Sequence, residues 1–116
     1  MDSSDLICVR AKGYLTSENM INVASQVLKM AAENKCNRVL CDYTKARFVE
    51  SILGIYENPV RNRSIGFPIT IRLATIYATD EREHLFWETV SRNRGFDFRV
   101  FKNREEASEW LQRQQK

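Results

Sequence analysis

The chain has 116 residues and a formal net charge of +3, with 43% hydrophobic and 28% charged residues. This length suits one domain with one core, and the composition is typical of a globular protein folded in water. No apolar run reaches the roughly 20 residues of a membrane helix, and the acidic N-terminus argues against a secretory signal. An odd number of cysteines, three, predicts no disulfide framework. We therefore expect a single cytoplasmic domain over residues 1–116.

The first third of the chain predicts a strand, a helix and a second strand. Residues 6–12 alternate apolar and basic side chains, which places Arg10 and Lys12 on the face opposite the apolar residues. Thr16 is a favoured residue for the start of a helix, and apolar residues then recur at helical spacing up to about residue 31. The continuous apolar run 39–41 predicts a strand that is buried on both faces.

The rest of the chain continues this alternation. In chain order, the pattern predicts a helix over about 49–58, a loop over 60–68, a strand over 69–77, a helix after Thr79, a strand over 96–100 and a helix after Asn103. Pro59 is expected to end the second helix, because a residue before proline disfavours the helical conformation. Leu85, Phe86 and Val90 are the expected apolar stripe of the third helix. The order β-α-β-α-β-α-β-α predicts an α/β layer with a mixed, mostly parallel sheet and helices packed on it.

Four stretches carry a resemblance to a known family. They are "GYLTSEN", "RVLCDYTKARF", "IRLATIYATDEREHLFWE" and "FRVFKNREEASEWL", which together span about residues 9 to 111. In their order and spacing, the chain resembles the SpoIIAA-like group of the STAS superfamily (sulfate transporter and anti-sigma factor antagonist). That group has a distant fold likeness to the lipid-carrying CRAL-TRIO or Sec14 domain. The resemblance implies a STAS-like domain that acts through a protein partner.

The resemblance also implies a position for regulation. Anti-sigma antagonists carry a serine at a helix start that a partner kinase phosphorylates, and the nearest counterpart in this chain is Ser51, preceded by Glu50 in place of an aspartate. A phosphate there would meet unpaired amides and the positive end of the helix dipole. The structural alternative is that Ser51 only caps the helix.

Asp42 and Tyr43 are predicted to end a central strand, where open α/β sheets place ligand sites. Asp42 is predicted either to orient a ligand hydroxyl or to accept backbone amides in its turn, and we favour the second role. Trp87 is predicted to be exposed and, with Tyr56, to form a dimer or partner face, because aromatic residues are enriched in such contacts.

Enzyme chemistry has little support in the sequence. The single histidine, His84, has no serine or cysteine at a recognised motif spacing and is expected at the surface or at its boundary with the core. An enzyme that uses Asp42 or His84 is the least favoured alternative. Metal-ligand pairs, phosphate-binding glycine motifs and nucleic-acid modules are not recognised, so we expect no catalytic residue, no metal, no cofactor and no nucleic-acid partner.

The leading prediction is therefore a non-enzymatic regulatory or protein-interaction domain that binds a protein partner or itself as a homodimer. Nine basic and five acidic residues between 58 and 104 fit an acidic partner, or only a solvated arginine-rich surface. The alternative is a domain of the Sec14-like type that binds a lipid or another small apolar molecule between the second helix and the sheet.

Overall fold

The computed structural model describes residues 6–49 and 52–113, and it confirms the predicted alternation of strands and helices. The elements are β1 (Ile7–Leu15), α1 (Ser17–Asn34), β2 (Arg38–Phe48), α2 (Ile52–Ser64), β3 (Arg72–Tyr77), α3 (Glu81–Asn93), β4 (Asp97–Phe101) and α4 (Arg104–Gln112). Two predicted caps are present: Thr16 Oγ1 accepts the amide of Asn19 at 3.1 Å, and Asn103 Oδ1 accepts that of Glu106 at 2.9 Å. Local hydrogen bonding therefore fixes the starts of α1 and α4.

The four strands form one sheet in the order β1-β2-β3-β4, and every neighbouring pair is parallel. The sheet is thus wholly parallel, where the sequence predicted a mixed but mostly parallel one. Right-handed crossovers between successive neighbours keep α1, α2 and α3 on one face, and α4, which follows the last strand, lies on the other.

Side-chain alternation along the strands builds a separate core on each face. Val39 and Cys41 of β2 face α1 to α3. Leu40 faces α4 and belongs to the same cluster as Trp110 and Leu111 of that helix. The central strand β2 is therefore buried on both faces over the run 39–41, as its continuous apolar sequence predicts.

The second helix differs from its prediction. It continues through Pro59 to Ser64, so most of the expected loop is helical and β3 begins only at Arg72. Asn58, Pro59 and Asn62 are buried on the inner side of α2. Packing of that side against the core outweighs the hydrogen bond that the proline nitrogen cannot make.

The buried face of the third helix is rotated from the predicted one. Val90 is buried and Phe86 packs on the core as predicted, but Leu85 does not. Leu85 is 45% exposed, whereas His84 and Trp87 are 1% and 6% exposed.

Trp87 stacks on Phe98, and its indole N–H donates to Asn58 Oδ1 at 2.9 Å. Burying the large indole sets the orientation of α3. The expectations of a surface or boundary His84 and of an exposed Trp87, on which its place in a dimer or partner face depended, were therefore wrong.

Candidate functional site

One region of the sheet surface has no helix above it in the described part of the chain. Helix α4 packs mainly on β3, with smaller contacts to β2 and β4, because it follows the last strand and folds back over the middle of the sheet. The outward side chains of β1 and of the second half of β2 therefore face solvent. We call this surface the open face, and its residues are Cys8, Arg10, Lys12, Tyr14, Asp42, Thr44, Lys45 and Arg47.

A β-bulge shapes the open face. Arg10 pairs with Asp42 and Lys12 pairs with Lys45, so β2 contributes one more residue than β1 between these two pairs. Such a bulge increases the local twist and changes the direction of side chains. It helps to form a groove of about 500 Å³, which is lined by Arg10, Ala11, Lys12, Asp42, Thr44 and Lys45. We call this the basic groove.

The charge of the basic groove is positive. Asp42, the one acid among the described residues that line it, accepts the hydroxyl of Thr44 at 2.6 Å and the amide of Thr44 at 3.0 Å. These two bonds, with smaller contributions from Arg10 and Arg104, hold the pKa of the Asp42 carboxyl below its usual value. The predicted role of Asp42 as an acceptor of a backbone amide is therefore confirmed. The predicted turn is not present, because β2 continues past Asp42 and Tyr43 to Phe48.

The three cations of the groove differ from Asp42 in their bonding. Arg10, Lys12 and Lys45 are exposed, and none of them forms an ion pair within 4 Å with any residue in the described ranges. The groove thus combines a satisfied carboxylate with three cations that have no ion-pair partner in the part of the chain that the structure describes. This arrangement favours an anionic ligand.

Asp42 and Tyr43, predicted together, are separated by the sheet. Tyr43 is 7% exposed and lies in the core beneath α1 to α3. Burial raises the pKa of its hydroxyl well above the usual value, and burial raises the pKa of the neighbouring Cys41 thiol to about 12. Tyr43 is therefore part of the core and does not border the basic groove.

The other predicted site residues lie elsewhere. Glu50 and Ser51 are outside the described residues. Tyr56 is 44% exposed on α2, where the Arg94 guanidinium lies 5.4 Å from its ring centre and donates to its hydroxyl at 3.3 Å. Because α2 packs on the opposite face of the sheet, Tyr56 shares no surface with Asp42.

His84 occupies an aromatic pocket inside the protein. Its ring lies 4.5 Å from that of Phe48 and 4.9 Å from that of Tyr77, and neither nitrogen has a hydrogen-bond partner among the described residues. Burial lowers its pKa to about 4, although Asp80 opposes this shift. The neutral imidazole lies on the α3 face of the sheet, whereas Asp42 lies on the α4 face, so the two do not form one catalytic site.

The carboxyl ends of the strands hold two acids that are already paired within the protein. Asp80 accepts the amide of Phe48 at 3.0 Å and lies 3.8 Å from the Arg47 guanidinium. Glu81 pairs with Lys102 at 2.7 Å and accepts the Tyr77 hydroxyl at 2.9 Å. These bonds, with that of Lys102 the largest, lower the pKa of the Glu81 carboxyl. The carboxyl ends of the strands are therefore less suited to binding an anion than the basic groove is.

Among the described residues, the space between the sheet and α1 to α3 offers little room for a ligand. A narrow cavity of about 30 Å³ lies between the sheet and α1 to α3, beside Trp87, Asn58 and Asn62. Small-molecule sites usually enclose roughly 300–1,000 Å³. The cavity has about the volume of one water molecule in the liquid, so the space described there does not favour an enclosed lipid.

No protein-family model and no curated protein sequence matches this chain. The resemblance to the STAS superfamily therefore stays a prediction that rests on the residues quoted above. In the described ranges, no cluster of three metal-ligating side chains is present, and no helix is both long and apolar enough to cross a membrane.

Proposed function

We propose that this domain is a non-enzymatic interaction module that binds an acidic segment of a partner protein in the basic groove. The observation that carries the proposal is the group of three cations, Arg10, Lys12 and Lys45, which form no ion pair with any described residue and lie on a part of the sheet that α4 leaves uncovered. Complementary charge speeds encounter with such a segment and discriminates against basic competitors.

The same charge argues against other occupants of this face. Two copies of the open face would bring like charges together, so self-association through it is disfavoured. The predicted homodimer, if it uses Tyr56, would form on the opposite side. A single-stranded nucleic acid usually stacks its bases on several aromatic rings. Among described residues, Tyr14 is the aromatic side chain that the open face exposes.

Regulation at Ser51 remains a prediction from the resemblance. Its test is the pair Ser51→Asp and Ser51→Ala, because only the first adds a negative charge that resembles a phosphate. We expect Ser51→Asp to weaken binding to the partner and Ser51→Ala to leave it unchanged, and equal affinity of the two variants would contradict the prediction.

The proposed function is tested with a fluorescein-labelled peptide in which glutamate and threonine alternate over nine residues, the length of β1. Fluorescence anisotropy measures its Kd for the protein, for the double variant Lys12→Glu/Lys45→Glu and for the control Arg61→Glu/Arg63→Glu. The control changes two exposed arginines of α2, on the other face of the sheet, and so matches the change in net charge.

We expect the groove variant to bind at least about tenfold more weakly and the control to change Kd by less than about twofold. Added salt should weaken binding to the unmodified protein. Equal Kd values for the two double variants, no binding at all, or tighter binding of a single-stranded oligonucleotide than of the peptide would contradict the proposal.

A further inference from the structure

On two free strand margins, a carboxylate accepts one backbone amide that faces away from the sheet. The outer strand β4 donates its Val100 amide to Glu88 Oε2 of α3 at 2.8 Å. Strand β2 continues beyond the end of β3, and there Phe48 donates its amide to Asp80 Oδ2 at 3.0 Å. Side chains that occupy edge amides prevent another strand from pairing at those positions.

The outer edge of β1 is different. Near its end, one backbone group is already bonded, because the Tyr14 carbonyl accepts the Asn19 side-chain amide at 2.8 Å. Between Ile7 and Gly13, however, no described side chain forms a hydrogen bond with the backbone, and β2 pairs with the inner side alone. An edge strand of this kind presents a row of unpaired N–H and C=O groups, which is a template for another strand.

The open edge adjoins the cations of the basic groove. Arg10 and Lys12 belong to β1 itself, and their side chains stand on the open face, immediately beside any strand that pairs with this edge. Opposite charges on neighbouring strands stabilise a sheet, and like charges destabilise it. An acidic strand is therefore favoured at β1, whereas the β1 of a second copy would place arginine and lysine against each other.

We propose that the acidic segment of the partner binds as a fifth strand on the outer edge of β1. This inference rests on the proposed function and adds the mode of binding. The backbone of the segment pairs with β1 between Ile7 and Gly13, and its acidic side chains face Arg10 and Lys12. Strand addition of this type draws affinity from main-chain hydrogen bonds and specificity from alternate side chains.

The test uses the alternating peptide in two N-methylated forms. One carries methyl groups on the amides of its glutamates and the other on those of its threonines, so net charge and side chains are identical. Alternate residues of a strand direct their amides to opposite sides, so only one form can retain the bonds to β1. We expect one form to bind at least about tenfold more weakly and the other to stay within about threefold of the parent.

Amide hydrogen exchange of the protein gives the second readout. On binding the parent peptide, alternate amides of β1 should slow at least about tenfold, while those of β4 should not change. If both N-methylated peptides bind with the Kd of the parent and amide exchange in β1 is unchanged, strand addition is overturned while the proposed function stays in place. Absence of binding by the parent peptide would overturn both.

Discussion

Replacing His84 with phenylalanine should remove a large part of the acid sensitivity of this fold. The imidazole is 1% exposed and has no hydrogen-bond partner among described residues, so the folded protein holds it in the neutral form. Phenylalanine keeps an aromatic ring beside Phe48 and Tyr77 but carries no proton to exchange. His84→Gln serves as a second variant that does not titrate in this range.

The magnitude follows from the difference between the two states. The pKa of His84 is about 4 in the folded protein and 6.5 as an ordinary histidine. Between these values the unfolded chain binds a proton that the folded chain does not, so the free energy of unfolding falls as pH falls from about 6.5 to 4. At about 1.4 kcal/mol per unit, the loss attributable to His84 is about 2 kcal/mol at pH 5 and about 3 kcal/mol at pH 4.

Urea unfolding followed by tryptophan fluorescence at pH 7.5 and pH 5 measures this loss. We expect the unmodified protein to lose about 2 kcal/mol more than either variant between the two conditions. Comparing the changes within each protein cancels the packing cost of the substitution itself. Equal losses in all three proteins would refute the reasoning, because the imidazole would then gain its proton as easily in the folded state as in the unfolded one.

Two further predictions concern stability and use the same urea assay. Arg72→Met should lower the free energy of unfolding by about 3 kcal/mol, because the largely buried guanidinium donates to the carbonyl of Trp110 at 2.7 Å and stacks on its ring. A loss no larger than that of the exposed control Arg82→Met would contradict this. Asp80→Ala should cost about 2 kcal/mol, because it removes the acceptor of the Phe48 amide and places alanine at a φ of 60°. Asp80→Asn keeps an acceptor oxygen and tolerates that backbone conformation, so it should cost about half as much or less, and equal losses would contradict the account.

The fold was predictable where its signals are local. The alternation of β1, the caps at Thr16 and Asn103 and the apolar run of β2 all depend on neighbours within a few residues. Pro59 was misleading because the buried side of α2, not the missing N–H, decides where that helix ends. Packing between distant parts of the chain outweighed the local preference there.

The orientation of α3 depended on a similar competition. Leu85 and His84 are adjacent, so a rotation of about 100° exchanges which of them is buried. Hydrophobicity favours Leu85, but Trp87 stacks on Phe98 and donates to Asn58 from the other side of the helix. No local pattern shows that the indole has these partners, because Asn58 is 29 residues away along the chain.

The sequence predicts only part of the basic groove. Alternation in β1 placed Arg10 and Lys12 on one face, and that placement is confirmed. Lys45 joins them because β2 lies beside β1 and carries a bulge, and the bulge has no glycine or other sequence marker. The position of α4, which leaves this face uncovered, follows from the order of all four strands.

The central claim is that an acidic segment binds at the basic groove, and a nuclear magnetic resonance titration tests it most directly. The ¹⁵N-labelled protein is mixed with increasing amounts of the alternating peptide, and amide chemical shifts are followed. The account predicts that the largest shifts occur at Arg10, Lys12, Thr44 and Lys45. Largest shifts around Tyr56 on the opposite face, or unchanged spectra up to millimolar peptide, would contradict it.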